Sequence, residues 1–358
     1  MARCFAIVGM ALASLACGCG DDDATMDAGF DGGTSDATVS LDGGGMDAPA
    51  TPDSGPADGG FDASIDWPDT PDDYTVESVA RVDSFTVPEP GTCCRDFGMI
   101  SRDYVEDGTN EIDNALAELA GLTVGLGLDI EALLNQLIAD DDLVLLLDHR
   151  ELDGDTDPSF VLAMLYGTPD TMTGSGYLVR RVSFAGATGT PTSVFVPAEI
   201  TSGAVTAGPG EVTLPIPLGA LAVDYRFRNV IIEGTLDRSG PSYTAGTMAG
   251  YLLVDDYFEG LNLVAARDCA CLGLTTPLYE KVGTTWTEHC VPATTAMTAC
   301  AATPACVDLG SGTACEFSPI LVPDLADLDV DSSVASFDAL SFGLQFTASP
   351  ATINGVEP

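Results

Sequence analysis

Aspartates offer the chain's widest scope for chemistry. Asp327, Asp329, Asp331 and Asp338 place carboxylates at positions 1, 3, 5 and 12 of a loop. That spacing wraps a hard cation such as Ca2+ in oxygen ligands, as an EF-hand loop does. Position 6, where such a loop turns sharply on glycine, is Ser332. A second cluster, Asp103, Asp107, Gly108 and Asp113, has the glycine but a valine at its third position. A third, Asp153, Asp155 and Asp157, is closed by Pro158. Strings of this kind also arise as solvated turns in an Asp-rich chain. The first cluster is the best candidate metal site.

Motifs for catalysis are sparse. No G-x-S-x-G elbow, H-E-x-x-H helix, G-x-x-x-x-G-K loop or G-x-G-x-x-G turn occurs. Asp53-Ser54-Gly55 matches the aspartic-protease triplet, but it lies in a low-complexity stretch. A histidine-based site has only His149 and His289 to draw on. His149 follows Asp148 and precedes Glu151 and Asp153, a grouping that could make a mixed carboxylate and imidazole site; its position reads more simply as an edge histidine in a surface loop. Two functional classes follow. The first is a non-enzymatic binding or structural module that recognises polysaccharide or protein, for which an aromatic such as Tyr225 or Trp286 on a concave face would be the mark. The alternative is a carboxylate-dependent hydrolase, which needs two facing acids that no periodicity singles out.

The N-terminus, MARCFAIVGMALASLACGCG, has a basic residue, thirteen apolar residues and then small residues running into cysteine. It resembles a bacterial lipoprotein signal, in which the cysteine is acylated and becomes the mature N-terminus. Cys17 and Cys19 both qualify, and neither has the leucine three positions upstream that such signals favour. Lipidation at Cys19 leaves an even set of eight: Cys93, Cys94, Cys269, Cys271, Cys290, Cys300, Cys306 and Cys315. No later stretch is apolar enough to span a bilayer, so the acyl chains would be the membrane anchor. The expected location is the outer membrane or cell surface.

Export makes these cysteines disulfide candidates, whereas zinc would call for a C-x-x-C pair that is absent. Adjacent cysteines make an awkward pair. Cys93 and Cys94 are therefore expected to reach two different partners and pin the N-terminal strand to the cysteine-rich segment, 268–316. Eight cysteines allow 105 connectivities, and spacing does not choose among them.

The chain has 358 residues and a net charge of −43, with Lys281 its only lysine. Residues 20–73 carry fifteen Asp and no basic residue among Gly, Ala, Pro, Ser and Thr. Such a segment cannot bury enough apolar surface to offset its ordering entropy, and it reads as a disordered, self-repelling tether. A surface this acidic repels phosphates, which excludes nucleic acid as a partner.

From about Tyr74 onward the chain reads as one mainly β domain. Leu340, Phe342, Leu344 and Phe346 alternate with polar or small residues, as do Val212 to Leu218 and Leu221 to Phe227. After Arg228-Asn229 the phase shifts to Val230, Ile232 and Leu236, which predicts a bulge or tight turn. Shorter strands are predicted at 79–87, 143–149, 160–166, 178–184 and 193–196. Helices are predicted at 111–120, after the cap Asp129, and at 254–266. The expected body is an antiparallel β-sandwich or jelly-roll with two or three short helices and a disulfide-rich insertion.

DGTNEIDNALAEL, AGPGEVTLPIPLGALAVDYRFRNVIIEGTL and DLDVDSSVASFDALSFGLQFTASPATINGVEP together resemble a group of uncharacterised exported lipoproteins of myxobacterial type. That resemblance implies an Asp/Gly-rich tether, a β-rich body and acidic D-x-D-x-D-G segments leading into D-x-A-L. It brings no activity with it. Ser332-Ser333 stands where the group has its glycine.

Overall fold

A computed structural model describes residues 65–97, 100–101, 113–124, 129–218, 221–331 and 337–358; Cys17, Cys19, Asp103 and Asp107 lie outside them. The globular unit takes in the chain from Asp66, eight residues ahead of the boundary that composition indicates. The chain opens with β1 (Val79–Thr86) and β2 (Ile100–Ser101), then α1 (Ala115–Val124) and α2 (Ile130–Ala139). Six strands follow in succession: β3 (Val144–Arg150), β4 (Thr156–Pro169), β5 (Tyr177–Val179), β6 (Ser193–Thr201), β7 (Ala204–Leu218) and β8 (Leu221–Asp237). After β9 (Ser242–Leu253) the chain enters a helical lobe. It contains α3 (Val254–Asp268), the hairpin β10 (Tyr279–Val282) and β11 (Thr285–Glu288), then α4 (Ala293–Ala299), α5 (Pro304–Gly310) and α6 (Gly312–Leu325). β12 (Leu328–Asp329), β13 (Ala339–Pro350) and β14 (Ile353–Val356) complete it.

The mainly β body with short helices and a disulfide-rich insertion is the one the alternation indicates. Alternation alone does not specify closure. β1 pairs antiparallel with β3 on one side and with β13 on the other, so β1, β3, β4, β6, β7, β8, β9 and β13 form a closed antiparallel barrel. Closure removes the free edges that invite pairing with other chains. The inward set fills the interior: Leu145 and Leu147 of β3, Phe160, Leu162 and Met164 of β4, Phe195, Ile232, Met248, Phe342 and Phe346 are all buried in one cluster.

β3 and β4 are buried on both faces, which explains their nearly continuous apolar sequences. Their outer side carries a second cluster of Val144, Leu146 and Leu165 with Tyr74, Val179 and Phe184, against which Trp67, Ile353 and Val356 pack. Arg150 and Asp148, also outward on β3, bond to the segment that covers them. Asp148 accepts from the Tyr74 hydroxyl at 2.9 Å and from the Glu77 amide at 3.0 Å. Arg150 donates to the Thr75 carbonyl at 2.8 Å and lies 4.9 Å from the Tyr74 ring and 5.2 Å from the Trp67 ring. This cation and aromatic contact clamps residues 66–78 to the barrel wall.

In β8 the expected phase shift is present. Asn229 has φ of 50°, and the register slips between Arg228 and Ile231. The bulge keeps one face continuous: Val230, Ile232 and Leu236 line the barrel, while Leu221, Val223 and Tyr225 join a further core under the lobe. Phe227 packs against both clusters and links them. The lobe is stapled by Cys269–Cys306, Cys271–Cys300 and Cys290–Cys315, with Cα separations of 5.4, 5.3 and 6.0 Å.

β9 has no counterpart in the sequence reading because its core face is interrupted by glycine. Gly246 and Gly250 lie opposite Phe346 and Phe342 in the β9 and β13 register, and the two rings occupy the space that side chains at the glycines would take. Aromatic cover of a cross-strand glycine supplies the apolar area that the local sequence lacks. Gly246→Ala should lower unfolding free energy by about 1 to 3 kcal/mol, because its β-carbon would overlap the Phe346 ring. Urea unfolding measures this; an unchanged midpoint would contradict the packing.

Candidate functional site

Asp327 and Asp338 of the first cluster lie beside β13. Leu328 and Asp329 pair with Ile100 and Ser101 of β2, and Leu328 also pairs with Ala339. Two segments more than two hundred residues apart in sequence thus meet at one side of the barrel. Asp327 is fully buried there. It accepts hydrogen bonds from the Ser341 amide at 2.8 Å and from the Ser341 hydroxyl. Ser341 Oγ in turn accepts from the amide of Ala115, the first residue of α1, at 2.8 Å.

Asn114 continues the network. Its Oδ1 accepts from the Gly343 amide at 3.0 Å and from the Ala117 amide at 3.1 Å, the second bond capping α1. Its Nδ2 donates to the Gly343 carbonyl at 3.0 Å and to the Cys93 carbonyl at 3.1 Å. Asp113, also buried, accepts from the Phe97 amide at 2.9 Å. Burial pushes the Asp327 carboxyl up to about 6; the Asp113 charge adds to that rise, while the Ser341 bonds oppose it.

Asp327 and Asp338 of this cluster already bond within the chain, and Ser332 lies outside the described residues. Asp338 uses its two oxygens to accept from the amides of Val330, at 2.8 Å, and Asp331, at 3.0 Å. Asp327 points into the packed wall. Asp329 Oδ1 is buried and makes no hydrogen bond among the described residues. Among the described residues no three His, Cys, Asp or Glu side chains converge in a way that could hold a metal. In the third cluster Asp157 accepts from the Asp153 amide at 2.8 Å and the Ser159 amide at 3.0 Å, which makes it a turn built on its own backbone.

The histidines occupy unlike places. His149 is not an edge residue in a surface loop: it is 1% exposed, inside the barrel, stacked on Tyr243. Nδ1 must donate to the Ser78 carbonyl at 2.7 Å, which leaves Nε2 to accept from the Tyr243 hydroxyl at 2.7 Å. Burial pushes its pKa down to about 4, with a smaller push from the Arg238 charge, so the ring is neutral at pH 7. The sequence misplaces His149 because Asp148 and Arg150 make the strand look wet, while both are buried under the clamp of residues 66–78. His289 faces Glu280 at 3.1 Å on the lobe hairpin.

The cysteines pair differently from expectation. Cys93 and Cys94 are bonded to each other instead of reaching two separate partners. The reason is that all six lobe cysteines are already paired among themselves. The aromatics named as ligand platforms are also occupied. Tyr225 stacks on Tyr257 at 5.3 Å, and Trp286 packs on Phe258 at 4.7 Å with its indole N–H donating to Asp255.

An open groove of about 860 Å3 lies at the hairpin end of the barrel, lined by Asp155, Thr156, Ser202, Asp237, Arg238 and Ser239. It is polar and has no aromatic wall. Asp237 is held below the usual carboxylate range by its bonds from Ser239, which makes it a poor general acid. Asp113 and Asp327 are the two buried carboxylates that influence each other, but both are covered where α1 packs on β13.

The linkage of two groups gives opposite signs with pH. His149 has its folded pKa below its unfolded value, so its contribution is lost as pH falls from about 6.5 towards 4. Asp327 has its folded pKa raised, so proton uptake favours the folded state as pH falls from about 6 towards 4. Asp327→Asn removes the second effect alone. The variant should therefore lose about 2 kcal/mol more stability than the native chain between pH 7 and pH 4. Denaturant titrations at both pH values test this, and equal losses would refute it. Separately, Cys271→Ser with Cys300→Ser should cost roughly 3 to 4 kcal/mol by loop-closure entropy. A change below 1 kcal/mol in the same assay would deny that bridge a stapling role.

No protein-family model, curated protein or solved structure matches this chain.

Proposed function

We propose that the chain is an exported, lipid-anchored module that works outside the cell as a binding or structural element, with polysaccharide or protein as its ligand class. The observation that carries this reading is the lobe's three interlocked disulfides, which need an oxidising compartment to form and persist. The N-terminal sequence supplies the route there and the anchor. A binding role is further supported by how the buried polar groups are used: Asp148, Asp327, Asn114 and His149 each hold one part of the barrel wall to another. The net charge of −43 favours a soluble domain that stands off its membrane.

The test is acylation of the full-length chain in a diderm bacterial host fed an alkyne-labelled fatty acid. Label should reach the membrane-bound protein, survive Cys17→Ala and be lost in Cys19→Ala. An unlabelled protein, or label that survives replacement of both cysteines, would overturn the anchor. Hydrolysis of glycan or ester substrates by the purified protein, abolished by replacing one acid, would overturn the non-enzymatic reading.

A further inference from the structure

The bond between Cys93 and Cys94 joins sequence neighbours, so it closes a small ring and ties down no loop. In chain-entropy terms it leaves the unfolded chain almost as free as before, unlike the lobe bridges, whose partners lie 25 to 37 residues apart. Stapling is not its contribution. Its surroundings indicate another one. The ring lies against the outer face of β13, where a β-carbon on Gly343 would meet the Cys94 amide nitrogen at 3.1 Å and the Cys93 carbonyl oxygen at 3.2 Å. The Cys93 carbonyl is an acceptor for Asn114, the residue that both caps α1 and bonds α1 to Gly343. Cys93 is buried, whereas Cys94 is partly exposed. The lobe cysteines, by contrast, are packed within or against the core under the lobe.

We propose that the Cys93–Cys94 bond is a redox latch on α1. Oxidised, the ring fixes the Cys93 carbonyl where Asn114 needs it and so holds α1 on the barrel wall. A dithiol reductant opens it. One thiolate of the dithiol attacks Cys94 Sγ, the S–S bond breaks, and its electron pair leaves on Cys93 Sγ, which takes a proton. The second thiolate then attacks the reductant's own sulfur in the mixed disulfide, releasing Cys94 Sγ, which also takes a proton. Two electrons and two protons reach the pair, and the reductant departs as a disulfide. With the ring open, the backbone between the two residues regains rotational freedom. Asn114 loses a fixed acceptor, and α1 is released.

The experiment is limited reduction of the full chain with dithiothreitol, followed by alkylation, peptide mass mapping and amide hydrogen exchange. Cys93 and Cys94 should be alkylated together while the six lobe cysteines remain bonded. Exchange in 115–124 should then rise roughly tenfold or more, while exchange in α3 stays unchanged. Cys93→Ser with Cys94→Ser should show the same rise without reductant. Asn114→Ala should raise exchange in α1 in either redox state and make it insensitive to dithiothreitol. The latch is overturned if the pair is reduced only together with the lobe bridges. It is equally overturned if exchange in α1 is unchanged once both thiols are free, or if the native chain maps Cys93 or Cys94 to another cysteine.

Discussion

Pairing of β1 with β13 is the constraint on which the rest of the molecule depends. Their register runs from Ala80 opposite Pro350 to Thr86 opposite Gln345, with one irregularity between Val82 and Ser84. Those strands lie at opposite ends of the folded chain, so closure brings a long-range contact into every later step of packing. A slip of one residue would turn Phe342, Leu344 and Phe346 outward and bring Ser341 and Gln345 into the interior. The inward Phe rings also set the β9 register, since Phe346 and Phe342 need Gly246 and Gly250 opposite them. With the interior given over to apolar side chains, polar chemistry is confined to the wall and the ends of the barrel. His149 with Tyr243 is one departure from this, and its two ring nitrogens are both satisfied.

The outer wall carries the buried polar groups, and two places show how burial is made tolerable. At one, Asp148 and Arg150 stand side by side on β3 under Trp67 and Tyr74. Burial pushes the Asp148 carboxyl up, opposed by the Glu77 amide and by Arg150. At the other, Asp327, Ser341 and Asn114 knit β13 to α1 and to the segment around Cys93. In both places a buried charge or amide is paired with backbone groups that themselves need partners, so each bond satisfies two groups that water can no longer reach. Segments that seem peripheral, residues 66–78 and 93–97, are in this way made part of the wall.

The lobe solves a different problem. The four-residue strands of its hairpin and the seven-residue helices α4 and α5 are too short to be stable by themselves. They gain stability by sharing a core with the first half of β8, where Val223 and Tyr225 lie in one cluster with Phe258 of α3, and by cross-linking at three points. The bulge at Asn229 makes this sharing possible, because it lets one strand present the same face to the barrel interior and then to the lobe.

Local sequence determined the period-2 strands, the cap at Asp129, the helix that begins near Val254, the bulge in β8 and the mainly β character, because each depends on neighbours within a few residues. Asp129 does accept from the Ala132 amide at 2.9 Å, as its position in the pattern implies. Tertiary structure decided the rest. Closure of the sheet, the burial of His149, the self-pairing of Cys93 with Cys94 and the strand built on Gly246 and Gly250 all depend on residues far away in sequence. The same holds for the acidic segments: their spacing resembles a cation loop, yet Asp327 and Asp338 are committed to Ser341, Val330 and Asp331. The physical reason is that spacing fixes which residue types lie near one another, while only packing determines which of their hydrogen-bonding atoms remain uncommitted.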